Sequence, residues 1–190
     1  MELINVFSAF GLSASAGLNA YIPLLTISLL AKFTKLIQLR EPWNVLTDWW
    51  IIGILVFLSL IEFFADKVPA VNHVNDIIQT FVRPAAGAIA FAASANIVSD
   101  IHPVLSLGMG LLIAGAVHTA KAGLLRPAVT ATTGGTANVA VSMAEDFVSF
   151  GISVLSVVIP VVIAAIIILV TAWIIFRWRH SSDGKSRSAA

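Results

Sequence analysis

LLRPAVTATTGGTANVAVSMAED, residues 124–146, decides how the rest of the chain is read. It holds an Arg-Pro pair, four threonines, a Gly-Gly pair, an asparagine and a Glu-Asp pair, with apolar sequence on both sides. The chain as a whole is 58% hydrophobic and 11% charged over 190 residues, with mean hydropathy +0.96. A soluble domain carries about 25% charged residues. This composition cannot cover a wetted surface and points to an integral membrane protein. Irregular backbone at membrane depth persists only where it is buried in protein or lines a water-filled cavity. From Pro127 to Ala144 there is no charge at all, whereas an aqueous loop of that length usually carries some. The expectation is a re-entrant or broken-helix segment lining a cavity, with a plain aqueous loop as the alternative.

Working outward, a bilayer core of about 30 Å needs roughly 20 apolar residues per helix. The expected fold class is all-α, a polytopic membrane bundle of about six transmembrane helices in one domain, 1–177. Span 1 covers about 4–31, with GLNAYIP (17–23) breaking it. Span 2 is 49–65, with Trp49 and Trp50 as interfacial anchors. Residues 70–82 read as an interfacial or re-entrant amphipathic helix, too polar to cross. Spans 3 and 4 are 84–99 and 103–121. The run from Phe147 to Phe176 is uncharged and holds Pro160. It is divided into span 5 (137–157) and span 6 (160–177), one long kinked helix being the rival. Residues 178–190 read as a disordered cytoplasmic tail.

With both termini cytoplasmic, inside segments carry Lys67, Arg83, Lys121, Arg126, Arg177, Arg179, Lys185 and Arg187. The outside carries Lys32, Lys35 and Arg40, which fits the positive-inside rule. ASAGLNAYIP (14–23) echoes AKAGLLRP (120–127), and LIEFFAD (60–66) echoes MAEDFVS (143–149). Two halves, 1–100 and 101–177, are therefore expected as a 3+3 inverted repeat, a plan that puts a transport site at the midplane. Net charge +1 gives no sign of a nucleic-acid partner, and the absence of cysteine excludes disulfides and thiolate metal sites. The N-terminus lacks the basic region of a signal peptide.

Ionisable residues inside a membrane segment mark functional sites by default. The candidate substrate- or ion-binding set is Asn19, Glu62, Asp66, His118, Lys121, Arg126, Thr132, Thr133, Gly134, Asn138, Glu145 and Asp146. Glu62 or Glu145 would carry a proton or cation. Lys121 and Arg126 would attract an anionic moiety. Thr132, Thr133, Gly134 and Asn138 would offer hydroxyls, amides or exposed backbone. Glu145 and Asp146 are adjacent, so on a helix they point about 100° apart. Ser142-x-x-Glu145 also fits a capping box, which would start a helix at Ser142. Asp66 lies four residues after Glu62, with Lys67 able to neutralise either. His73 and Asp76 have the i, i+3 spacing of a metal pair but no third ligand. Lys121-x4-Arg126-Pro127 is similar to part of the lipid-phosphatase signature. Its spacing is shorter, and no histidine lies between Arg126 and His180.

GLNAYIP, ADKVPAVNHVNDIIQTFVRPAAGA, HTAKAGLLRP and TATTGGTANVAVSMAED together resemble one family, over about 11–160. It is a family of small bacterial multi-pass membrane proteins known only as a domain of unknown function. The resemblance implies bacterial origin and carries no established activity with it. The function expected is a small inner-membrane transporter or channel for an ion or small polar solute, working as a homodimer in the lipid bilayer and needing no cofactor. The alternatives are an intramembrane enzyme or lipid-headgroup (phosphate) binding protein, and a membrane subunit of a larger complex. No nucleophile sits beside a base at a convincing spacing, which favours transport over catalysis.

Overall fold

The computed structural model describes residues 2–95 and 101–159, together with Leu169 and Trp173. Among the described residues there are helices and turns and no strand. Seven α-helices follow one another among the described residues: α1 (Glu2–Leu18), α2 (Tyr21–Phe33), α3 (Trp49–Ala65), α4 (Pro69–Ala95), α5 (Pro103–Ala120), α6 (Arg126–Thr133) and α7 (Asn138–Ile159), with a short 3-10 helix, Trp43–Thr47, before α3. A π-helical turn, Lys121–Leu125, joins α5 and α6 into one rod. Three rods are long and apolar enough to cross a membrane: Val74–Ala95, Pro103–Thr133 and Asn138–Ile159. Val6–Leu18, Tyr21–Phe33 and Trp49–Ala65 are shorter and also apolar.

Helices in lipid associate through close packing of small residues and hydrogen bonds rather than by hydrophobic exclusion. Here α1, FSAFGLSASAGL at its core-facing end, supplies both. Ser13 Oγ lies 3.2 Å from the Gly87 carbonyl of α4 and 2.8 Å from the Gly110 carbonyl of α5. On its other side Ser15 Oγ lies 2.7 Å from the hydroxyls of both Ser149 and Ser153 on α7. A Cβ on Gly110 would sit 2.7 Å from Ala88 Cα and from Phe91 Cβ, so only glycine lets α4 and α5 approach this closely. Of the small residues on α5, Gly110 and Ala114 are buried at this contact, whereas Gly108 faces open space.

Residue pairings give the helix directions. Along α1 and α5, Ser13 meets Gly110, Gly17 meets Ala114 and Val117, and Leu18 meets Lys121, so these helices run parallel. Across α2 and α3, Ala20 meets Glu62 at one end and Phe33 meets Trp49 at the other, so these run antiparallel. All the helices meet in one layer: α1 and α3 end there and α2 starts there, while α4, the α5–α6 rod and α7 pass through it at Arg83, Lys121 and Glu145. α1, α3 and α5 run toward it, and α2, α4 and α7 away from it.

Three expectations change. Residues 4–31 form two helices, α1 and α2, meeting at Asn19–Ala20, rather than one interrupted span. The segment 34–48 therefore lies on the same side as the start of α1, and the assignment of Lys32, Lys35 and Arg40 to the face opposite the N-terminus falls. The stretch 70–82 is not a separate interfacial helix: α4 runs unbroken through Pro84. Finally, an inverted repeat would set α1 and its echo α5 antiparallel. They run parallel, so the 3+3 inverted repeat has no support in the described residues. Span 6 and the tail 178–190 lie outside the described residues, apart from Leu169 and Trp173.

Candidate functional site

Among the described residues nine charged side chains gather in the layer where the helices meet: five carboxylates and four cations. The centre is the break between α1 and α2. Asn19 Oδ1 accepts from Tyr21 N and Ile22 N, both at 3.1 Å, capping the start of α2. Its Nδ2 donates to Asp146 Oδ1 at 2.9 Å. The N-terminus of a helix attracts negative charge and the C-terminus positive charge. Both preferences are met within two residues. Ala20 N donates to the Glu62 carboxylate at 3.2 Å, and the Leu18 carbonyl accepts from Lys121 Nζ at 2.9 Å.

Around this break the charges pair across helices. Arg83, fully buried on α4, lies 2.9 Å from Glu62 of α3 and 3.6 Å from Asp66. Its Nη1 is 3.2 Å from His118 Nδ1. Arginine can only donate, so Nδ1 accepts, and the imidazole proton sits on Nε2, which faces Thr80 Oγ1 at 3.3 Å. Lys121 meets Glu145 of α7 at 2.8 Å. Arg126 joins three helices, at 3.3 Å from Asp66 at the end of α3, 3.2 Å from Asp76 of α4 and 3.4 Å from Glu145 of α7. Asp66 also accepts from Asn75 at 2.7 Å. Lys67 turns to Asp146 at 3.4 Å rather than to Glu62 or Asp66.

Beside the layer lies a cavity of about 520 Å³. Asp66, Lys67, Asp76 and Arg126 form its charged wall, and Thr130, Gly134, Gly135 and Asn138 its polar wall. Small-molecule sites usually fall between about 300 and 1,000 Å³. Gly134 and Gly135 have φ of 61° and 87°, conformations that favour glycine, and they turn the chain from α6 into α7. The uncharged stretch 127–144 is thus a helix end, a glycine turn and a helix start that border a cavity.

The structure brings together Asn19, Glu62, Asp66, His118, Lys121, Arg126, Glu145 and Asp146. Gly134 and Asn138 line the cavity. Glu145 and Asp146 diverge as their spacing requires, one toward Lys121 and Arg126, the other toward Asn19 and Lys67. Thr132 and Thr133 do not join the site. Both are exposed, and their hydroxyls bond back to the carbonyls of Ala128 and Val129 on their own helix. Ser142 starts no helix, since α7 begins at Asn138, and its buried hydroxyl has no partner among the described residues.

The sequence reading missed Arg83, Lys67, Asp76 and Asn75 as site residues. A signal for the first existed. Asn75, Gln79 and Arg83 follow at intervals of four and continue into Ala86, Ala90 and Ala93, all buried, which is one helical face. Among the described residues no group of three or more metal-ligating side chains converges. The His73 side chain lies outside the described ones.

No curated protein and no solved structure matches the chain. The model of one family does, the family described as Domain of unknown function (DUF4126), over residues 6–180. By that match, which takes in the charged layer and the cavity together, the chain belongs to the DUF4126 family.

Proposed function

We propose that the protein is a small transporter or channel of the bacterial inner membrane, moving an ion or small polar solute through the cavity beside the charged layer. The observation that carries this reading is a cavity of about 520 Å³ walled by charge and backed by fully buried ion pairs. A purely structural bundle has no need of either, since each charge taken into lipid costs several kcal/mol.

The bilayer geometry is part of the proposal. α3 has 17 residues, a rise of about 26 Å, against a hydrocarbon core of about 30 Å. With Trp49 and Trp50 at one interface, Asp66 and the cavity reach the opposite one. Glu62, Arg83, Lys121 and Glu145 then lie a turn or two inside. With the N-terminus cytoplasmic, the segment 34–48 with Lys35 and Arg40 shares its side and the cavity faces out, which leaves Lys67 and Arg126 on the outer side, against the positive-inside rule. α7 also leaves the layer toward the cytoplasm, and the segment beyond Ile159 lies outside the described residues, apart from Leu169 and Trp173. A homodimer belongs to the same reading. α3 turns Phe57, Leu60, Ile61 and Phe64 outward and buries only Ile52, Leu55 and Glu62, leaving an apolar face for lipid or a second copy. The phosphate-binding alternative gains nothing, because every cation of the layer already holds a carboxylate.

The test uses the absence of native cysteine. Asn138→Cys and Ala122→Cys, in the cavity wall, are treated with a membrane-impermeant thiol reagent in sealed vesicles. Thr136→Cys, on the exposed turn, and Lys35→Cys, on the other side, are the controls. Cavity positions should label from the Thr136 side only, and more slowly than Thr136→Cys. Labelling from both sides, or as fast as Thr136→Cys, would remove the support for a restricted pathway.

A further inference from the structure

We infer that Glu145 is a proton-binding site and that a proton is the ion this layer takes up. The inference rests on the transport reading for the proton's role, and on the following geometry for its place. The layer holds five carboxylates against four cations, with His118 accepting at Nδ1 from Arg83 and so uncharged in this arrangement. Among the described residues it is one positive charge short, and one of its carboxylate oxygens lacks a donor.

Both oxygens of Glu62 are engaged, by Arg83 and by Ala20 N. Both oxygens of Asp66 are engaged, by Asn75 and by Arg126. Asp76 meets Arg126 through each oxygen. Asp146 divides its two between Asn19 and Lys67. Glu145 differs. Its Oε2 takes Lys121 and Arg126, while its Oε1 is buried and has no hydrogen-bond partner among the described residues. Ser142 Oγ, three residues earlier on the same helical face and 1% exposed, is unpartnered too. One turn further toward the N-terminus, Asn138 lines the cavity. The face Asn138–Ser142–Glu145 thus leads from the cavity to the bare oxygen.

A buried acceptor without a donor is costly. Protonation at Oε1 supplies the donor and removes the excess charge in one step: hydronium in the cavity gives up an O–H bond, the Oε1–H bond forms, and water remains. Neutral Glu145 would hold Lys121 and Arg126 less tightly, while Lys121 keeps the Leu18 carbonyl. Proton uptake would thereby loosen α7 from the α5–α6 rod.

The experiment is pH-difference infrared spectroscopy of the full chain reconstituted in lipid, reading the carbonyl stretch of a protonated carboxyl. Acidification should produce such a band. It should be lost in Glu145→Gln, be retained in Asp146→Asn, and shift in wild-type protein labelled with [13C]glutamate. The label keeps a refuting result available if a variant fails to fold, and Glu62→Gln, which should retain the band, separates Glu145 from the layer's other glutamate. A band that survives Glu145→Gln, or does not shift with labelled glutamate, would overturn the assignment. So would a titration that moves with sodium concentration, since the ion would then be a metal cation. The band reports protonation without any flux, so its absence and a failure of one-sided cysteine labelling are separate results.

Discussion

Arg83→Leu should be among the most damaging single substitutions in the protein. The guanidinium is 0% exposed and its partner Glu62 1%. Removing one member of a buried pair costs about 3–5 kcal/mol, because the other charge is left uncompensated. Glu62 keeps one favourable contact, the N–H of Ala20 at the start of α2, and a helix N-terminus returns about 1 kcal/mol to a partly buried anion. The expected net loss is about 2–4 kcal/mol. The double variant Glu62→Leu/Arg83→Leu removes both charges and should recover much of it, as replacement of buried pairs by apolar residues is often neutral. Reversible unfolding of the purified protein in mixed micelles, followed by circular dichroism across a denaturing-detergent titration, measures all three. A loss for Arg83→Leu below about 1 kcal/mol, the value of an exposed pair, would refute the buried-pair reasoning. A double variant no more stable than the single one would refute it equally.

Other substitutions probe the remaining parts. Gly110→Val drives a side chain into Ala88 and Phe91 of α4 and should cost about 1–3 kcal/mol, while Gly108→Val, in open space, should leave the melting temperature in detergent unchanged. Asn19→Ala removes the cap on Tyr21 and Ile22 together with the bond to Asp146, and a lost cap alone costs about 1 kcal/mol, read from the same unfolding titration. Ser149→Ala removes a hydroxyl from the Ser15–Ser149–Ser153 contact; intramembrane hydrogen bonds average about 0.6 kcal/mol, so a small loss is expected. Arg126→Met removes the cation that three carboxylates share across three helices and should speed amide hydrogen exchange at the start of α7, while Thr132→Val, whose hydroxyl serves only its own helix, should not.

Much of the site could be read from the chain because its residues are costly in lipid. Glu62, Lys121, Glu145 and the break after Leu18 stand out against apolar surroundings, and the structure draws them into one layer. Arg83 escaped because it precedes a proline and follows a polar stretch, so the local pattern suggested a boundary. The proline cost the helix less than expected, and the polar residues face inward on one side of α4. Thr132 and Thr133 were overread for the opposite reason: hydroxyl content says nothing about whether a hydroxyl serves a ligand or its own backbone. The α1–α2 turn was misread as a kink inside one span. Two non-helical residues suffice for it because Asn19, Glu62 and Lys121 satisfy the freed backbone groups, and none of those partners is near in sequence except Asn19.

The central claim is that solute or ion moves through the cavity beside the charged layer. The most direct test is flux into proteoliposomes holding Asn138→Cys, measured for protons, sodium and potassium before and after a bulky thiol reagent is attached. The account predicts a flux above that of empty liposomes, abolished by the reagent at Asn138→Cys and untouched by it at Thr136→Cys. A flux indifferent to a plug at Asn138→Cys, or no flux above empty liposomes for any of the three, would contradict it.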